Sequence, residues 1–283
     1  MSTLQITNSL ISVQFLKENL SAENLIILDA SMKPVGKAAI STPLASTYIP
    51  GSLRFDFDHE ICDLNSSLPH MMPTAEFFTE EMQKMGINQN SAIVVYDKVG
   101  IYSSPRAWWM FRAMGHDQVA VLDGGLPAWV NAGFETASQL KEKPQQRGNF
   151  VSHAQNQAFV DSTYVMNALQ NASFSVLDAR SSNRFKGLEE EPRQGLKRGH
   201  MPNAVNIPFA NVLEGELMKS KLSLQSIFDQ YKNKKMIFSC GSGATACILA
   251  LAAEQAGHKN LSVYDGSWSE WGLASSNLPV VTE

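Results

Sequence analysis

Met236-Ile237-Phe238-Ser239-Cys240-Gly241-Ser242-Gly243-Ala244-Thr245-Ala246 reads in three parts: a short apolar run, a turn carrying two glycines, and the start of an Ala- and Leu-rich stretch. The run at 236–238 has the composition of a strand buried on both faces. Residues 244–256 are rich in strong helix formers and stop at Gly257, a residue suited to the position just past a helix end. Leu261-Ser262-Val263-Tyr264 follows as the next strand. Strand, helix and strand in this order predict parallel pairing, with helices on both faces of a mainly parallel sheet.

The same pattern occurs earlier in the chain. Val94-Val95-Tyr96-Asp97 matches Ile237-Phe238-Ser239-Cys240 at an offset of 143 residues. Ile27-Leu28-Asp29-Ala30-Ser31 matches Val176-Leu177-Asp178-Ala179-Arg180 at an offset of 149. Ile49-Pro50-Gly51-Ser52-Leu53 matches Met201-Pro202-Asn203-Ala204-Val205 at 152. Gly115-His116 with Gly257-His258, Val121-Leu122-Asp123-Gly124 with Val263-Tyr264-Asp265-Gly266, and Trp129 with Trp271 all stand 142 apart. Six anchors in one order at nearly one offset predict two copies of an α/β domain rather than a solenoid of short units. Between them, residues 139–157 are polar and charged and have the composition of a linker. The predicted division is therefore 1–138, a linker at 139–157, and 158–283.

Composition narrows the function. Across 283 residues, 44% are hydrophobic and 18% charged, ordinary for a protein with a buried core and far from a disordered chain. A net charge of −4 supplies no basic field for nucleic acid. The longest apolar run, residues 246–253, is far short of the roughly 20 residues that cross a bilayer, so no membrane partner is expected. The N-terminus lacks the apolar core of a secretory signal. Three cysteines, Cys62, Cys240 and Cys247, make no disulfide framework and suit a reducing, cytoplasmic setting. The six histidines form no ligand cluster, and neither a metal nor another cofactor is predicted.

Attention then falls on Cys240. A cysteine at the carboxyl end of a parallel strand sits where such sheets bind ligands. Backbone N–H groups of the following loop and the positive end of the helix can converge on sulfur and stabilise a thiolate. Gly241 and Gly243 let the backbone curl around an anion, as a sulfur nucleophile requires. A cysteine-based phosphatase would close such a loop with Arg, and residues 241–247 contain none. Gly241-Ser242-Gly243-Ala244-Thr245-Ala246 also fits the dinucleotide pattern G-x-G-x-x-A, with Asp265 placed as a ribose-binding acid. Two facts oppose that reading: the motif begins 43 residues before the end of the sequence, and Asp123 fills the matching place in the half that has no G-x-G loop. In that half Asp97 stands where the nucleophile would be. Lys98-Val99-Gly100-Ile101-Tyr102 lacks the small, glycine-rich character of an anion-wrapping loop.

Over nearly its whole length the sequence resembles the two-domain rhodanese-type sulfurtransferases. The resemblance rests on Asp97 against Cys240, on Ile49-Pro50-Gly51 and Val121-Leu122-Asp123-Gly124-Gly125, and on Trp268-Ser269-Glu270-Trp271-Gly272. Cys240-Gly241-Ser242-Gly243-Ala244-Thr245 is similar to the C-G-S-G-V-T loop of the members that use 3-mercaptopyruvate, with Ala244 for Val. Thiosulfate-preferring members carry Arg-Lys after the cysteine, where this chain has Gly241 and Ser242. The resemblance implies two tandem rhodanese-like domains, the first silent and the second catalytic. It implies a persulfide on Cys240, release of pyruvate, and an acceptor that is a thiol such as thioredoxin, or cyanide. Thiosulfate:cyanide transfer and a non-catalytic binding module are the alternatives.

A 2-oxo acid donor calls for a cation at its carboxylate, preferably arginine for its planar fork. Arg184-Phe185-Lys186-Gly187 and Glu191-Pro192-Arg193 resemble the family's R-F-x-G and E-P-R elements, which assigns donor binding to Arg184 and Arg193. The competing expectation is a solvated charged loop offset by Glu189, Glu190 and Glu191. Arg180 and Arg198 are expected to serve structure through ion pairs. Ser242 is a candidate hydrogen-bond donor to the departing group. Asp58 and His70 resemble first-domain positions linked in the family to that serine, against the competing expectation of a surface Asp and a loop His. Cys247, two helical turns after Cys240, is expected in the core, and Cys62 on an exposed loop.

Overall fold

The computed structural model describes residues 3–33 and 44–283. They form two compact units. The first comprises Met1–Leu64, Pro73–Asn156 and Gly215–Met218; the second comprises Asn65–Met72, Gln157–Glu214 and Lys219–Glu283.

In the first unit five parallel strands run in the order Leu10–Ile11, Val119–Leu122, Ala92–Tyr96, Leu25–Asp29, Leu53–Arg54. Ala92–Tyr96 is buried throughout because both faces of the sheet are covered. Side chains alternate along it, so Ala92, Val94 and Tyr96 pack with Leu16, Leu126 and Trp129. A second buried group contains Phe55, Phe78, Phe111 and Phe150, with ring centroids 5.3–6.3 Å apart. Phe150 lies in the polar stretch with linker composition, and that stretch is fastened to this unit. Gly148 N–H donates to the Gln83 carbonyl at 2.8 Å, His153 N–H to Met114 at 2.8 Å, and Gln155 N–H to Ala113 at 2.7 Å.

The second unit repeats the sheet: Phe159–Val160, Leu261–Tyr264, Lys235–Ser239, Phe174–Asp178, Val205–Asn206, all parallel. The predicted α/β fold, a duplicated domain with helices flanking each mainly parallel sheet, is what the chain adopts. Helix Ala246–Gln255 starts two residues later than its composition predicts. Its approach is a tighter turn, in which Cys247 N–H bonds the Ala244 carbonyl and Ile248 N–H that of Thr245, each at 3.1 Å. Gly257 follows its end at φ +104°. Among the described residues no helix is long and apolar enough to cross a membrane.

Each sheet has one place where the chain departs in opposite directions from adjacent strands. In the second unit, Phe174–Asp178 is followed by the edge strand Val205–Asn206 on one side. Lys235–Ser239 is followed by Leu261–Tyr264 on the other. The crevice at such a switch point, at the carboxyl ends of the strands, is where open α/β sheets bind ligands. Asp178-Ala179-Arg180 and Cys240 both emerge there.

Candidate active site

Cys240 is 2% exposed, at the end of the central strand. Its N–H donates to Ser267 Oγ at 3.2 Å, and that hydroxyl donates to the Tyr264 carbonyl at 2.8 Å. The Cys240 carbonyl accepts from Trp268 N–H at 3.0 Å. The Gly241 carbonyl accepts twice from Ser269, from N–H at 2.8 Å and from the hydroxyl at 2.7 Å. The turn is thus held from outside by the start of helix Ser267–Trp271. Gly243 takes φ +77°, the left-handed region that favours glycine. Ser242 and Ala244 are buried and Thr245 half-buried, so the serine is not a solvated loop residue.

Arg184 and Arg193 reach this turn. A Cβ placed on Gly241 would stand 3.1 Å from Arg184 Nη2 and 3.8 Å from Arg193 Nη1. The missing side chain therefore leaves the space beside Cys240 open to both guanidinium groups. Arg184 is 22% exposed and is held by Glu191, whose own side chain is 2% exposed. The other Glu191 oxygen accepts from Arg180 Nη1 at 2.7 Å. Arg180 is fully buried, forks onto Asp178 through Nε and Nη2, donates to the Gly199 carbonyl at 2.9 Å, and stacks its Cζ 4.1 Å above the Trp268 ring. Burial works against its charge, yet Asp178 and Glu191 outweigh burial and hold its pKa above the ordinary arginine value. The charge run of residues 180–193 is therefore not uniformly a solvated loop. Arg180 is a buried ion-pair residue, whereas Arg198 pairs with Glu190 at the surface.

His70 joins the same cluster from 123 positions away: its Nε2 lies 3.4 Å from Arg193 Nη2. The residue is buried, at φ +62°, and belongs to the second unit. Asp58 belongs to the first unit, where its carboxylate lies 3.7 Å from His59 Nδ1. Cys247 is fully buried, with its thiol 3.3 Å from the Gly243 carbonyl, as its helical spacing predicts. Cys62 departs from expectation: it is 8% exposed, its thiol points to the Asp58 carbonyl at 3.8 Å, and burial followed by Asp58 raises its pKa.

The equivalent turn of the first unit corrects another expectation. It does wrap an anion, and the anion is its own Asp97. One carboxylate oxygen accepts from the N–H groups of Val99 and Gly100 at 3.0 and 3.1 Å. The other accepts from the N–H groups of Tyr102, Ser103 and Ser104, all at 2.9 Å, and from the Ser104 hydroxyl at 2.7 Å. Gly100, at φ +123°, corresponds to Gly243 at the repeat offset. One glycine in the left-handed region is enough to turn the chain.

Asp265, the acid of the dinucleotide pattern, accepts from Met72 N–H at 2.7 Å. Its counterpart Asp123 accepts from Met218 N–H at 2.9 Å. The two aspartates do the same structural work in both units, which supports their reading as repeated scaffold. Glu191, Asp178, Ser267 and Ser269 were not singled out by sequence. The E-P-R element touched Glu191, the repeat anchor 176–180 touched Asp178 and the Trp268–Gly272 signature touched Ser269, all without a role, while Ser267 lay outside every motif.

Comparison with known proteins agrees with this geometry. The family model described as the Rhodanese-like domain matches residues 12–132 and again 161–274. The chain is 36% identical over 296 residues to human 3-mercaptopyruvate sulfurtransferase, covering 100% of this chain and 98% of that protein. It is also 36% identical over 275 residues to chicken thiosulfate sulfurtransferase, covering 93% of each. Among solved structures, SseA of Escherichia coli, described as a 3-mercaptopyruvate sulfotransferase, superposes with a TM-score of 0.81 at 33% identity, covering 93% of this chain and 100% of SseA.

Proposed function

This chain belongs to the family of rhodanese-like domains, and from that premise we infer that it is a sulfurtransferase taking sulfur from 3-mercaptopyruvate. Equal identity to a mercaptopyruvate enzyme and to a thiosulfate enzyme leaves the choice of donor to the site itself. One observation carries that choice: two arginines converge on a neutral Gly241-Ser242 turn beside Cys240. Mercaptopyruvate has one carboxylate, at the end opposite its sulfur. Arg184 and Arg193 hold that carboxylate while the sulfur meets Cys240 Sγ.

Cys240 thiolate attacks the donor sulfur, forming an S–S bond as the C–S bond breaks. The electron pair leaves with carbon as the pyruvate enolate, which takes a proton to become pyruvate. The persulfide on Cys240 lies in the turn, where backbone N–H groups stabilise its charge. A thiol acceptor such as thioredoxin, or cyanide, then attacks the outer sulfur and releases Cys240 thiolate. Ser242 donates to the departing group. Gly241, Gly243, Ala244 and Thr245 shape the turn. His70 supports the site through Arg193, and Asp58 is a further supporting candidate. Residues 158–283 form the catalytic domain and 1–138 a non-catalytic one, joined through 139–157. The setting is cytoplasmic.

The test pairs kinetics with mass. Turnover is compared for mercaptopyruvate and thiosulfate with one acceptor, and the protein is weighed after donor alone. The reading expects preference for mercaptopyruvate and one added sulfur on Cys240, removable by a reducing thiol. Label confined to Cys62 or Cys247, or a preference for thiosulfate, would overturn it.

A further inference from the structure

Three guanidinium groups, Arg180, Arg184 and Arg193, gather beside the Cys240 turn, and two carboxylates, Asp178 and Glu191, answer them. One net positive charge remains. Asp178 stands in register with Ser239 at the carboxyl end of its strand, and its fully buried carboxylate binds Arg180. Glu191 is different, because its two oxygens are shared between buried Arg180 and half-buried Arg184. Among the described residues it is the anionic link between the buried end of this chain of charges and the guanidinium over Gly241.

We propose that Glu191 is a positioning residue that selects the donor: it fixes Arg184 over the Cys240 turn and lowers the charge of the site to one that suits a monoanionic 2-oxo acid rather than a dianion. The proposal rests on the reading that Arg184 and Arg193 receive the donor. Two consequences of one carboxylate are involved. Its paired contact with Arg184 sets where the remaining N–H groups of that fork point, and so the geometry offered to a planar carboxylate. Its charge cancels part of the field that a compact dianion such as thiosulfate would feel about twice as strongly as a monoanion. Without Glu191 the site would carry two net positive charges, and Arg184 would be free to swing towards the sulfur.

Glu191→Gln keeps the shape and removes the charge. The quantity read is the ratio of kcat/KM for thiosulfate to kcat/KM for mercaptopyruvate in the same preparation, so loss of folded protein cancels. The expected result is a shift of that ratio towards thiosulfate by on the order of tenfold. The loss on mercaptopyruvate should appear mainly as a raised KM. Glu191→Asp retains the charge, and its ratio should stay within about twofold of the parent while KM rises for mercaptopyruvate. A ratio unchanged in Glu191→Gln, or moved towards mercaptopyruvate, overturns the proposal. If the Gln variant does not fold, the Asp variant decides: a constant ratio with raised KM supports the charge argument, and a tenfold shift with the charge still present refutes it. A parent protein that neither turns over mercaptopyruvate nor loads sulfur on Cys240 would remove the underlying reading instead. A parent that does both while Glu191→Gln leaves the ratio fixed removes only the role of Glu191.

Discussion

The turn after Asp97 and the turn after Cys240 leave equivalent central strands, place a left-handed glycine at the same step, and differ in what fills them. In the first unit the filling is covalent and permanent. The Asp97 side chain satisfies five backbone N–H groups and a hydroxyl at once, so the turn is held from within. In the second unit Cys240 contributes only a short side chain, which leaves the turn without a resident anion of its own. That turn is held from behind, through Ser267 on Cys240 N–H and through both donors of Ser269 on the Gly241 carbonyl. The first unit has Pro127 at the place of Ser269, and proline can supply neither donor. Both turns accept an N–H from the helix that follows, Leu126 on the Asp97 carbonyl at 2.9 Å and Trp268 on the Cys240 carbonyl at 3.0 Å, and the contacts of Ser267 and Ser269 are what the second unit adds.

Crossed substitutions at the two equivalent positions make the largest test. Asp97→Ala leaves buried N–H groups without their anion and should cost about 3–5 kcal/mol of stability in the first unit. Turnover per folded molecule at Cys240 should stay close to that of the parent. Cys240→Ala should do the reverse, abolishing turnover while changing stability by no more than about 1 kcal/mol. Denaturant unfolding together with active-site kinetics reads both. Equal stability losses at the two positions would mean that the Cys240 turn is also held by its own side chain, and the contrast would collapse.

The external support can be tested by making the second unit resemble the first. Ser269 and Pro127 both occupy the third position of short helices, Ser267–Trp271 and Gly125–Asn131, where proline costs no helical hydrogen bond. Ser269→Pro removes both donors from the Gly241 carbonyl. Two ordinary hydrogen bonds are worth about 1–3 kcal/mol together. Persulfide formation should slow by roughly tenfold or somewhat more, with Ser269→Ala, which keeps the N–H, losing less. Single-turnover kinetics with donor alone measures it. A Ser269→Pro variant as fast as the parent would show that the turn needs no hold from this helix.

Periodicity made the repeated sheets legible because strands such as Ala92–Tyr96 and Lys235–Ser239 announce themselves by composition, and a duplicated order of anchors needs no tertiary knowledge. Cys240 was legible for the same reason: its strand, turn and helix are local. The pairing of His70 with Arg193 was not, since a contact across 123 positions leaves no local trace. Nor was the Asp97 cradle, because backbone N–H groups carry no signature in side-chain sequence. Glu191 was masked by its neighbours. Glu189 and Glu190 share its composition, yet only Glu191 is turned inward onto two arginines, and burial decides between a solvated charge run and a charge relay.

The smallest test compares two histidines that the repeat places at equivalent positions. His116 is buried against Phe111 and Phe150, with its Nε2 2.9 Å from the Ser91 carbonyl, and burial lowers its pKa. His258 packs more openly, beside Phe228, and burial lowers its pKa as well. A lowered folded value means that the unfolded chain binds the proton more readily. Stability from this source is therefore complete above the unfolded value of about 6.5 and drains away as pH falls below it towards the folded value. His116→Gln should accordingly flatten the fall of stability between pH 6.5 and 5, while His258→Gln should flatten it less. Denaturant midpoints collected across that range would read the two slopes. A larger flattening from His258 than from His116 would overturn the expectation that the more deeply buried ring makes the larger contribution.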